Sequence, residues 1–154
     1  MARDSDFALS LHVDGLDKLL RKLNGLEPKV RRMALRRGMR AGAKIIRNEV
    51  VRRAPKRTGD LRRNVKVRAG KRSRKGWTIE IRLSKEGNYR GKTFYGAFGE
   101  FGTKVRRRKN GQITGRVRAL HFMESAFDAR APQARDVTLA MLWADIKMIA
   151  EAGR

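Results

Sequence analysis

The chain has 154 residues, the length of one ordinary domain, and 40% of them are hydrophobic, enough for a buried core. Its 39 Lys+Arg stand against 15 Asp+Glu, a formal net charge of +24, so the folded chain repels itself unless it meets nucleic acid, an anionic membrane or acidic partner proteins. The absence of cysteine excludes disulfides and thiolate metal sites. No apolar run approaches the roughly 20 residues that span a bilayer, and Met1 to Asp6 are polar, without the apolar core of a signal peptide. The expectation is a soluble protein, made in the cytoplasm, with no membrane partner.

Phe7, Leu9, Leu11 and Val13 alternate with Ala8, Ser10, His12 and Asp14, the period of a half-buried strand. Asp14 is placed to cap a short helix carrying Leu16, Leu19, Leu20 and Leu23, which Asn24-Gly25 stops. Pro28 then opens a long helix predicted to run to about Arg53. At 100° per residue, Val30, Ala34, Leu35, Gly38, Ala41, Gly42, Ile45, Ile46 and Val51 fall on one arc. Lys29, Arg32, Arg36, Arg37, Arg40, Lys44 and Arg47 fall on the other, while Arg31, Glu49, Arg52 and Arg53 break the pattern. Gly38 and Gly42 each cost roughly 1 kcal/mol of helix propensity, and close approach of another element is the expected compensation.

Ala54-Pro55 ends the helix, and Lys56 to Asp60 form a turn in which Thr58 is placed to cap a short helical turn. Val65, Val67 and Ala69, then Trp77, Ile79, Ile81 and Leu83, alternate with polar residues and predict a β-hairpin. Its tip, residues 70–76, is basic through Lys71, Arg72, Arg74 and Lys75. Glu86 to Lys92 reads as a loop, and Phe94 to Thr103 is aromatic and Gly-rich. Lys104 to Arg118 is strongly basic, including Arg106, Arg107, Arg108 and Lys109. Asn110-Gly111 at its centre fits a tight hairpin turn, with a mobile loop as the equal alternative. From Leu120 helical spacing returns, with Pro132 expected to kink or split the helix. The order of elements predicts an α+β fold: one domain over 1–154, with a small antiparallel sheet packed against a long amphipathic helix and a C-terminal helix.

Residues with catalytic chemistry are sparse. His12 and His121 stand alone, without a clustered carboxylate at metal spacing. Gly96, Gly99 and Gly102 have the wrong spacing for a phosphate-cradling loop, and Asp60, Glu80, Glu86 and Glu100 form no nuclease-like motif. The expectation is no enzyme, no metal and no cofactor. The strongest physical signal is the basic helix face, Arg32, Arg36, Arg40, Lys44 and Arg47. Like charges at these spacings repel by a few tenths of a kcal/mol per pair. A solvated face is the bland reading; an anion-facing role, toward phosphates or toward a partner's carboxylates, is the functional one. With 6% aromatic residues, a base-stacking platform is disfavoured.

Four stretches carry a resemblance: Gly15-Leu16-Asp17-Lys18-Leu19; Arg53-Ala54-Pro55-Lys56-Arg57-Thr58-Gly59-Asp60-Leu61-Arg62; Tyr95-Gly96-Ala97-Phe98-Gly99-Glu100-Phe101-Gly102-Thr103; and Ala119-Leu120-His121-Phe122-Met123-Glu124-Ser125-Ala126-Phe127. In order and in pattern they resemble the gene-product-ten-like family of siphophage proteins. The second is similar to that family's A-P-x-x-T-G-x-L-R and the third to its Y-G-x-x-x-E-F-G-T. His121 stands where the family often has Pro, and Lys104 to Arg118 is longer and more basic than the family pattern. The resemblance implies a virion protein of the head–tail neck, a connector, tail terminator or completion protein. It further implies a homo-oligomeric ring, sixfold by family expectation, which contacts neighbouring neck and tail proteins and passes double-stranded DNA. Thr58, Gly59, Leu61, Arg62, Tyr95, Glu100, Phe101, Gly102 and Thr103 are its motif residues, read either as interface positions or as turn and packing residues. A free-standing basic duplex-binding protein is the alternative.

Overall fold

The computed structural model describes residues 8–10, 21, 24–56, 59–70, 78–83 and 95–152. In chain order these form β1 (Ala8–Ser10), α1 (Pro28–Arg53), α2 (Asp60–Asn64), β2 (Val65–Ala69), β3 (Ile79–Leu83), α3 (Tyr95–Phe101), β4 (Arg106–Arg107), β5 (Ile113–Gly115) and α4 (Phe122–Ala152). The architecture is α+β. An antiparallel sheet of order β1-β3-β2 packs against the two long helices, and β4 and β5 form a separate ribbon. The Asp14-capped helix apart from Arg21, the hairpin tip after Gly70 and the loop from Glu86 to Lys92 lie outside the described residues.

The long helix has the bounds its sequence predicts. Pro28 occupies its first turn, where an absent N–H costs nothing, and the chain leaves at Ala54, whose N–H still reaches Val50 O at 2.8 Å. The buried arc is rotated from the predicted one. Met39, Ala43, Glu49 and Val50 are buried with Ala34, Leu35, Gly38, Gly42 and Ile46. Ile46, Val50, Val65, Ile79, Ile81, Phe122 and Met123 form the main core between helices and sheet. Burying each of the larger aliphatic or aromatic side chains contributes about 1.5–3 kcal/mol. The predicted hairpin is present, with Val65 opposite Leu83, Val67 opposite Ile81 and Ala69 opposite Ile79. Gly70 N–H donates to Thr78 O at 2.8 Å and closes the base of its tip.

The helix glycines have a specific partner. A Cβ on Gly42 would lie 2.2 Å from Thr138 Oγ1 and 2.5 Å from Ala134 O; one on Gly38 would lie 2.9 Å from Leu142 Cγ. The close approach expected of them is therefore made by α4 of the same chain. Thr138 is buried at this contact and donates to Ala134 O at 2.7 Å.

Pro132 does not split the C-terminal helix, which is continuous from Phe122 to Ala152. Pro132 and Asp128 are exposed, so the carbonyl that loses its helical donor is open to water. The Gly-rich stretch after Phe94 contains a helix, Tyr95–Phe101. Gly96 and Gly99 weaken its propensity, but packing overrides this: a Cβ on Gly96 would lie 2.2 Å from Leu83 and 2.9 Å from Leu61.

Candidate assembly surfaces and the motif lock

The two motif stretches meet in space. Leu61, from the first, lies against Gly96, from the second. Arg62 turns back onto the end of α1, its Nε donating to Ala54 O at 3.1 Å and its Nη2 to Arg52 O at 3.0 Å. The guanidinium thereby satisfies carbonyls that a helix C-terminus leaves without partners. Gly59 stands at the N-cap of α2 with φ +74°, a left-handed conformation suited to glycine. Thr58 lies outside the described residues.

Glu100 is the centre of the second motif. It is 1% exposed, although it ends a short helix rich in glycine. Its Oε2 accepts Met123 N–H at 2.8 Å and its Oε1 accepts Glu124 N–H at 3.0 Å. The carboxylate caps the first turn of α4 from 23 residues upstream, where the helix dipole also favours negative charge. His121 N–H donates to Glu100 O at 3.2 Å and Leu120 N–H to Gly99 O at 2.8 Å, fastening the two segments in register. His121 is itself left-handed at φ +45°. Gly102 has φ +72°, and a Cβ there would meet Val117 O at 2.8 Å. Thr103 completes the lock: its N–H donates to Val117 O at 3.0 Å and its Oγ1 accepts Val117 N–H at 2.9 Å. Tyr95 and Phe101 are exposed.

Beyond that lock, Lys104 to Arg118 projects as a ribbon. Arg108 N–H donates to Gln112 O and Gly111 N–H to Arg108 O, both at 2.9 Å. Asn110 Oδ1 accepts Gln112 N–H at 3.2 Å, and Gly111 has φ +82°. The hairpin reading of Asn110-Gly111 thus describes this segment. Every residue from Lys104 to Arg118 is exposed, including Val105, Ile113 and Val117. Arg106, Arg107, Arg108 and Lys109 lie on it. Lys71, Arg72, Arg74 and Lys75 lie outside the described residues.

The predicted basic helix face is not uniform. Arg32, Arg36, Arg40 and Lys44 are exposed. Arg47 is half-buried and its Nε donates to Val65 O at 3.1 Å, tying α1 to the start of β2. Arg36, Arg40 and Lys44 rim a groove of about 820 Å³ between α1 and α4. Val30, Met33, Ala41, Met141, Met148 and Ile149 supply its apolar lining. The sequence reading placed neither Met33 nor Met148 on an apolar face. Met141 and Met148 are seven residues apart on α4, a spacing that places them on one helix face; it is the signal by which the sequence could have indicated the groove.

Among the described residues Glu49 holds the densest charge cluster. It is 5% exposed and receives Arg52, Arg53 Nε at 2.7 Å and Arg130 Nε at 3.3 Å. Hydrogen bonds from Arg52, then Arg53, hold its carboxyl down at about 2, against the opposing effect of burial. Arg130 lies on α4, so the cluster also joins the two long helices. Glu100, His121 and Glu124 bring ligand atoms within 4.8 Å of one another, but both Glu100 oxygens are engaged by helix amides. The arrangement is a cap.

The described strands pair only antiparallel, the two turn motifs interlock, and the ribbon and one face of α1 expose cations. The family model described as "Bacteriophage HK97-gp10, putative tail-component" matches residues 17–102. The chain belongs to this family of bacteriophage tail components. The match includes both the Leu61–Arg62 and Tyr95–Gly102 motifs, whereas the basic ribbon and α4 follow it. No curated protein and no solved structure matches the chain significantly. Among the described residues no helix is long and apolar enough to cross a membrane.

Proposed function

We propose that the protein is a structural subunit of the phage neck, forming a homo-oligomeric ring of six that joins the DNA-filled head to the tail and lets duplex DNA pass. Membership of a tail-component family over residues 17–102 is the observation that carries this reading. The net charge of +24 supports it, because a DNA-lined passage and acidic neighbouring rings are both places where such a charge is neutralised. Small residues on α1 lend no support, since Gly38 and Gly42 are covered by α4.

In this reading the ribbon, through Arg106, Arg107, Arg108 and Lys109, and the tip carrying Lys71, Arg72, Arg74 and Lys75 face DNA. Arg32, Arg36, Arg40 and Lys44 face a neighbouring subunit or ring, and Arg47 positions α1. The protein works without cofactor or catalysis and resides in the virion after synthesis in the host cytoplasm. Tyr95 and Phe101 offer apolar contact beside the ribbon.

Electron microscopy of the phage particle, with mass measurement of the neck, tests the proposal. A closed ring of this chain at the head–tail junction is expected. A single copy, or copies scattered away from the neck, overturns it. Salt-sensitive, sequence-independent duplex binding by a soluble species absent from particles would establish the free-standing DNA-binding alternative.

A further inference from the structure

The groove between α1 and α4 combines two features that a DNA contact does not need together. Its lining is apolar and open: Met33 is 65% exposed and Met148 54%. Its rim is cationic through Arg36, Arg37, Arg40 and Lys44. Among its described lining residues Asp145 is the one carboxylate, and it is engaged by Arg37 at 3.3 Å. Phosphates would satisfy the rim but leave the thioethers in water. Methionines adapt to varied apolar surfaces, and a groove between two helices admits a third along its length.

We propose that this groove receives an acidic amphipathic helix from a neighbouring virion protein. The apolar side of that helix seats on Met33, Ala41, Met141 and Met148, and its carboxylates meet Arg36, Arg40 and Lys44. The inference rests on the assembly role proposed above and names the partner chemistry of one surface. A second copy of this chain is poorly equipped to supply the helix. Residues 4–17 hold four aspartates without Lys or Arg, and no other stretch between cations holds more than two acidic residues. Part of that stretch, Ala8–Ser10, is already paired with β3.

The test uses the full-length protein and a labelled synthetic helix of Leu and Glu, about 18 residues or five turns long, with Leu at helical spacing. A scrambled peptide of equal composition and a short DNA duplex serve as controls. The ordered peptide should bind about tenfold more tightly than the scrambled one, a difference of about 1.4 kcal/mol. Met33→Ser with Met148→Ser should remove that preference while leaving melting temperature and duplex binding unchanged. Arg36→Glu with Arg40→Glu should weaken ordered-peptide binding about tenfold or more. Equal binding of both peptides, or a methionine pair that binds the ordered peptide as wild type does, overturns the proposal. So does concentration-dependent self-association that the methionine pair abolishes, which would make a second copy the occupant. A chain that fails these assays yet forms neck rings leaves the assembly role standing.

Discussion

Two regions of this chain use the same residue types to opposite ends. At the buried positions of the body, charge and glycine are answered within a few ångströms: Glu49 by three arginines, Glu100 by two helix amides, Gly42 by the backbone of α4. In the ribbon from Lys104 to Arg118, seven cations stand without one acidic residue, and Gly111 and Gly115 have no atom within 4 Å of where a Cβ would lie. An isolated two-stranded ribbon is marginal in water, so its side chains are suited to contacts outside the subunit. The difference separates substitutions that act on folding from those that act on assembly.

The contrast is broken most severely at Gly42. Gly42→Val places methyl groups where Thr138 and the Ala134 carbonyl already lie, and backbone cannot yield as a flexible side chain does. A loss of about 3 kcal/mol or more is expected by denaturant titration. Gly111→Ala, in the ribbon, meets no neighbour and costs only its left-handed backbone, about 1 kcal/mol. Equal losses at the two sites would dissolve the distinction.

Glu100→Ala should cost about 0.5–2 kcal/mol, the range for removing a helix cap. Hydrogen exchange should show the loss concentrated at Met123 and Glu124, whose amides the carboxylate accepts. Uniform loosening across the sheet would indicate a different role.

Acid should act through Glu49. Its folded-state carboxyl titrates at about 2, below its ordinary 4.5, so it stabilises fully above 4.5 and loses that contribution as pH falls toward 2. Glu49→Gln should lower stability at neutral pH and flatten the pH dependence across that window. A wild-type curve matching the variant's would remove Glu49 from the account.

The smallest effect on folding belongs to the ribbon. Arg106→Glu with Arg107→Glu should change stability by less than about 0.5 kcal/mol. It should permit incorporation into particles while impairing DNA retention or passage. Arg36→Glu with Arg40→Glu should instead block incorporation; normal particles would leave those charges as solvated surface.

Much of the body was legible because its signals are local. Pro28 and Ala54-Pro55 bound α1 through backbone chemistry available to any reader of the chain, and the alternation in Val65–Ala69 and Ile79–Leu83 reflects the period of a pleated strand. Asn110-Gly111 carried its own turn. The motifs around Thr58–Arg62 and Tyr95–Thr103 were visible as residues, but their meeting was not, because Leu61 and Gly96 are 35 positions apart and nothing local links them. Gly96 and Gly99 weaken helix propensity, yet tertiary packing supports a helix at that position.

By itself, then, the sequence determined the long helix, the hairpin, the basic balance and the family motifs, all of which follow from periodicity, turn chemistry and composition. The tertiary structure alone decided that Gly38 and Gly42 face α4, that Glu49 is the hub of three arginines, and that Glu100 caps a helix 23 residues downstream. It also decided that Met33, Met141 and Met148 share one groove with Arg36 and Arg40. Each of these depends on which elements pack together and in what register, a property of distances between segments that no local pattern encodes.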